Sequence, residues 1–146
     1  MKISYSDFKR TILEKFKQNN GRGCFKMMNG KIMELWISAD GKGVENSQYK
    51  CVCDFVSLYA VYEKAIELGG KMYLGAKAAQ DGKKIGSSDL SIDTIDAFVS
   101  MEFDGKDIGD TTTRRSTYYS AILDWAGFVS KCRGGFIVVR PQYMEK

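Results

Sequence analysis

Thr111-Thr-Thr-Arg-Arg-Ser-Thr-Tyr-Tyr-Ser-Ala-Ile-Leu-Asp-Trp-Ala-Gly-Phe-Val-Ser-Lys-Cys-Arg-Gly-Gly-Phe-Ile-Val-Val139 is the stretch on which the fold turns. Tyr118, Ile122, Trp125 and Ala126 recur at helical spacing and predict a helix from about Thr112 to Ala126. Gly127 supplies the stop, because glycine tolerates the left-handed conformation that ends a helix. Phe128–Lys131 and Phe136–Val139 then flank Cys132-Arg-Gly-Gly135, which predicts a tight hairpin with Lys131 and Arg133 at its tip. Arg114, Arg115, Ser116 and Tyr119 crowd the first turns of the helix.

Upstream, Ile92, Ile95, Phe98, Val99 and Phe103 predict a helix over 92–103 capped by Ser91, followed by a glycine-punctuated turn, Asp104-Gly-Lys-Asp-Ile-Gly109. The first seventy residues read as an α-β-β-β-α unit. Phe8, Ile12, Leu13 and Phe16 form the stripe of an opening helix capped by Ser4 or Ser6. Asn29-Gly30 joins strands at Cys24–Met28 and Lys31–Ser38, and a third strand is expected at Gln48–Cys53, with Tyr49, Cys51 and Cys53 on one face. Asp54 caps a second helix carrying Phe55, Leu58, Tyr59, Tyr62, Ala65 and Ile66, which Gly69-Gly70 ends. Residues 71–90 lack clear periodicity, yet Met72, Tyr73, Leu74 and Ile85 would be wasted in a free linker, so an ordered connector is expected. The expected class is α+β, with the 1–70 unit packed against a second unit at 91–146.

Hydrophobic residues make up 44% of the chain and charged residues 27%, which suits a packed core and argues against disorder. No apolar run approaches the ~20 residues that span a bilayer, and the N-terminus lacks the apolar centre of a signal peptide, so a cytoplasmic protein without a membrane partner is expected. Cys24, Cys51, Cys53 and Cys132 lack zinc-site spacing, and the chain has no histidine; buried, reduced thiols are the simplest reading, with no metal and no cofactor. Charge is segregated. Residues 1–31 hold eight Lys/Arg against two Asp/Glu, 32–110 hold eight against fourteen, and 111–146 hold six against two. Basic ends around an acidic middle suit a polyanionic partner.

From Ser91 to about residue 140 the order of parts resembles a winged helix-turn-helix module, of the kind found in bacterial restriction, phage and mobile-element proteins. Trp125-Ala-Gly-Phe-Val129 is similar to the small-residue, glycine, aliphatic run that carries a recognition helix into its wing. The resemblance departs at 104–111, which is too short and glycine-rich for the helix that a full motif places before the recognition helix. It implies duplex DNA binding, with the N-terminal half of the 112–126 helix in the major groove. Thr112, Thr113, Arg114, Arg115, Ser116 and Tyr119 would contact DNA there, with Lys131 and Arg133 on the adjacent backbone. Lys9, Arg10 and Lys17 of the first helix, with Arg22, are candidates for a second contact. Neutralising about five phosphates implies a log–log salt slope of roughly −4.5.

Catalysis is not expected. The three Asp-Gly-Lys tripeptides at 40–42, 81–83 and 104–106 are turn chemistry first, and no activated nucleophile or phosphate loop is present. A second reading is a small protein-binding inhibitor or adaptor of a nucleic-acid enzyme that presents the acidic 32–110 segment to its partner.

Overall fold

Ser4 starts the first helix, α1 (Tyr5–Gln18), by accepting a hydrogen bond from the Asp7 N–H at 3.2 Å. Phe8, Ile12 and Phe16 of α1 are fully enclosed. The computed structural model describes residues 2–144. After α1 come β1 (Gly23–Lys26), β2 (Ile32–Ile37), β3 (Gly43–Asn46), β4 (Cys53–Asp54) and α2 (Phe55–Glu67). Next are β5 (Lys71–Tyr73), α3 (Ala76–Gln80), α4 (Ile95–Phe103), α5 (Ser116–Trp125), β6 (Val129–Cys132) and β7 (Phe136–Val139), with a 3-10 turn at Pro141–Tyr143. The strands form two antiparallel sheets, ordered β1-β2-β3-β4 and β5-β7-β6, so the class is α+β. Among the described residues no helix is long and apolar enough to cross a membrane.

The expected third strand at 48–53 is displaced. The 39–42 turn leads directly into β3, and Asn46 then ends it, its side-chain oxygen accepting from the N–H groups of Gln48 and Tyr49, each at 2.9 Å. A side chain that takes backbone donors in this way competes with the ladder, so 47–52 is a loop and β4 keeps only two residues. Tyr49, Cys51 and Cys53 therefore do not share a strand face, and the first unit is α-β-β-β-β-α. Nor are the thiols uniformly buried: Cys53 is enclosed, Cys24 is exposed, and Cys51 and Cys132 lie between.

Both later helices start downstream of the expected positions. α4 begins at Ile95 because Thr94, not Ser91, is its cap, which leaves Ile92 on the surface. α5 begins at Ser116 because a carboxylate from α4 occupies its N-terminus. Asp96 Oδ1 accepts from the N–H groups of Arg115 (2.7 Å) and Ser116 (2.8 Å), while Oδ2 accepts from the Ser116 hydroxyl at 2.7 Å. A cap supplied from another helix ties the 112–115 segment into a non-helical path.

Residues 71–90 do more than connect. Lys71, Met72 and Tyr73 pair with Val138, Ile137 and Phe136, which makes β5 the third strand of the hairpin sheet. Met72, Leu74 and Ile85 are buried as expected, whereas Tyr73 is exposed. One core also runs through both expected units. Phe8 stacks on Phe128 with centroids 4.6 Å apart, and Tyr62 of α2 packs on both rings. The same cluster includes Met33 and Leu35 from the first sheet and Ile137 and Val139 from the second. A boundary near residue 70 or 90 therefore crosses shared apolar packing rather than solvent.

The Asp-Gly-Lys tripeptides are turns. Gly41, Gly82 and Gly105 have φ of 73°, 72° and 69°, a region open to glycine. Asp40 accepts from the Lys42 N–H (3.0 Å) and the Ser38 hydroxyl (2.7 Å), which hold its carboxyl below the usual range. Among the described residues, no three His, Cys, Asp or Glu side chains are grouped to hold a metal ion.

Candidate nucleic-acid interface

α5 is enclosed along its length: none of its residues is exposed. Of the expected stripe, Ile122 and Ala126 are buried, but Tyr118 and Trp125 are only partly so, and the enclosed side of α5 runs through Tyr119 and Leu123 instead. Tyr118 and Trp125 turn toward the N-terminal unit. Tyr118 stacks on Tyr49 of the 47–52 loop, 5.4 Å between centroids and 11° from parallel. Trp125 packs on Phe16 of α1 and lies against Gly23 of β1. A Cβ at Gly23 would sit 2.6 Å from two atoms of the indole ring, so only glycine permits this closeness. Gly23→Ala is expected to push the ring aside at a cost of about 2 kcal/mol. A melt of the variant with tryptophan emission as the probe checks this. Unchanged emission and stability would mean that β1 does not bear on α5.

This enclosure corrects the groove-entry expectation. Ser116 and Tyr119 are buried, Ser116 against Asp96 and Tyr119 with its hydroxyl 2.9 Å from that of Ser57. Burial pushes the Tyr119 phenol far above its ordinary range. Neither side chain reaches an external ligand. Thr112 is half-buried, donating to the Asp96 carbonyl at 3.0 Å and paired with the Ser100 hydroxyl; Thr113 is exposed.

The two arginines have different fates. Arg115 is half-buried and paired with Asp104, its Nη1 3.5 Å from Oδ1 and its Nη2 donating to Oδ2 and to Ser100 Oγ at 3.3 Å. Burial works against its charge, but Asp104 outweighs that and holds the pKa above its usual value. Arg114 is exposed and donates to a neutral acceptor, Gln80 Oε1 of α3, at 2.8 Å. Its guanidinium is thus the available one.

The hairpin forms in the expected place, with Val129 opposite Val139 and Cys132 opposite Phe136, so the connecting turn is Arg133-Gly134-Gly135. Arg133 is exposed at the tip. Lys131 is half-buried, with its N–H bonded to Asp124 Oδ2 at 2.7 Å and its ammonium 5.9 Å from the Phe25 ring. Burial lowers its pKa; Asp124 opposes this shift, and Arg114 adds to it. Arg114 also lines a cleft together with Gly134 and Gly135 of the turn. Arg114 and Lys131 are thus near enough for their charges to interact, although the Lys131 ammonium also donates to the Thr117 carbonyl at 3.5 Å, and Arg133 stands on the turn whose glycines border the Arg114 cleft.

The cations of the first helix do not join these. Lys15 donates to the Trp125 carbonyl and lies 4.8 Å from that ring, which puts the C-terminal part of α1 at the far end of α5, about 13 Å from the Ser116 start by helix rise. Lys9 lies over Phe55, Arg10 is paired with Asp7, and Arg22 covers Trp36 at 4.8 Å. Lys17 is exposed on the last turn of α1.

Gln80, Asp96 and Asp104 decide which arginine is available, and sequence reasoning missed all three. No local signal marks them, because their partners lie 34, 19 or 20, and 11 residues away. Comparison with protein-family models, curated proteins and solved structures finds no match to this chain.

Proposed function

We propose that the protein is a non-enzymatic duplex DNA-binding factor that grips the phosphate backbone with the 112–115 segment and the hairpin turn. The observation that carries this reading is the exposed Arg114, which among the described residues is bonded only to a neutral amide and lines a cleft with the turn glycines that follow Arg133. Arginine forks suit phosphate oxygens, and backbone contacts of this kind hold a duplex without reading its sequence. The succession α4, turn, α5, hairpin, with β5 bound to the hairpin, supports the winged-helix resemblance. The enclosure of α5 favours backbone binding over major-groove readout.

The alternative inhibitor reading has less support. Six acidic side chains of the 32–110 segment, Glu63, Glu67, Asp81, Asp89, Asp93 and Asp104, are already paired with lysine or arginine, which breaks up an acidic face.

With Arg115 and the α1 cations set apart, about three phosphates are neutralised, and log affinity is expected to fall with log salt at a slope of roughly −2.7. Arg133→Ala should reduce that slope by about one, with little dependence on DNA sequence. A titration by fluorescence anisotropy at several salt concentrations checks both. Absence of binding to any duplex at low salt would sink the reading. Arg115→Ala is a poor probe, because it also strands Asp104.

A further inference from the structure

We propose that the cleft between α3 and the hairpin turn binds one unpaired nucleotide of a nucleic-acid strand, its base against Tyr73 and its phosphate at Arg114. This site rests on the duplex reading in one respect: the flanking duplex would lie on the neighbouring Arg133 and Lys131 surface. The cleft has a volume of about 610 Å³, within the range of small-ligand sites and far larger than a lone phosphate requires.

Its lining carries the parts that nucleotide recognition needs. Tyr73 ends β5 with half of its surface exposed (51%). The ring is braced by Phe136 at 5.6 Å, and the Lys71 ammonium lies 5.0 Å from Tyr73 and 4.2 Å from Phe136. An aromatic ring beside a cation is a platform on which any base can stack, whatever its sequence. Arg114 lines the same cleft, and exchanging its neutral Gln80 partner for a phosphate gains a charge-assisted pair. Asp89, 3.8 Å from Lys83, also lines it; a carboxylate there accepts from a sugar hydroxyl or base amino group and disfavours a second phosphate. The glycines at 134 and 135 let the turn backbone border the cleft with no side chain in the way.

The test compares a blunt DNA hairpin with the same hairpin carrying a two-nucleotide overhang, by fluorescence anisotropy, for the native protein, Tyr73→Ala and Tyr73→Leu. The overhang should tighten binding about tenfold, and both variants should lose that gain while keeping blunt-end affinity. Tyr73→Leu retains bulk on the strand, so a loss shared by both variants reports stacking rather than folding. Equal affinity for the two hairpins, or a gain that persists in the variants, overturns the proposal and leaves the duplex reading standing. If neither hairpin binds, the duplex reading fails, and saturation-transfer NMR with thymidine 5′-monophosphate decides the cleft by itself. Contact that disappears in Tyr73→Ala upholds it, and absence of contact overturns it.

Discussion

Phe128→Ala is expected to destabilise the protein by about 4 kcal/mol, the usual cost of deleting a fully enclosed ring. Phe128 stacks on Phe8 of the first helix, tilts against Tyr62 of α2, and lies 5.1 Å from Tyr143 at the C-terminal end. The cavity would thus open where the first helix, the middle helix and the hairpin sheet meet, and none of them can collapse into it alone. For a chain of this size the loss should lower Tm by roughly 12 °C. The single transition expected of one shared core should persist, with tryptophan emission and far-UV circular dichroism coincident. If the variant instead melts in two steps, with the N-terminal sheet unaffected, the units on either side of residues 71–90 have separate cores.

Asp96 should separate the roles of charge and hydrogen bonding. Asp96→Ala strips the cap from α5 and leaves two N–H groups and the Ser116 hydroxyl without their acceptor, at a cost of about 3 kcal/mol. Asp96→Asn retains an oxygen for both N–H groups, and the Ser116 hydroxyl can turn to accept from the amide. Burial pushes the Asp96 carboxyl above the usual carboxylate range, against the pull of its hydrogen bonds with Ser116 and Arg115. The folded state therefore holds this proton more tightly than the unfolded chain does. The resulting penalty is absent below the ordinary carboxylate pKa of about 3.9 and complete once pH exceeds the raised folded value. Asp96→Asn should accordingly match or exceed the native stability at pH 7, and that advantage should shrink as pH falls toward about 4. Thermal melts of the three proteins at both pH values check this. An asparagine variant as damaged as the alanine one would mean that the negative charge itself holds the cap.

Much of the scaffold was legible because its signals are local. The α1 stripe, the Asp54–Phe55 start of α2, the Gly127 stop and the hairpin at 129–139 each depend on residues within one or two turns of each other. The helix starts at 95 and 116 were not, because Thr94 outcompetes Ser91 and because Asp96 reaches α5 from a different helix. The third strand was misplaced for a similar reason. The side chain of Asn46 diverts the backbone donors that a continued strand needs, and no periodicity records that diversion.

The candidate interface divides in the same way. Arg114 and Arg115 are adjacent and chemically identical, so the sequence offers both equally as DNA contacts. The fold separates them, with one beside Asp104 in a half-buried pair and the other against a neutral amide facing a cleft. Likewise, helical spacing places Ile122 and Ala126 on the buried side of α5, but it does not show that Tyr119 and Leu123 are enclosed or that Tyr118 and Trp125 turn to Tyr49 and Gly23. By itself the sequence determined the α+β class, the order of helix, turn, helix and hairpin, and the concentration of net positive charge from Thr111 onward. Tertiary structure alone decided which cations remain available and that α5 is a core helix. Charge and periodicity are properties of residues and their near neighbours, whereas exposure and ion pairing depend on what the rest of the chain brings against them.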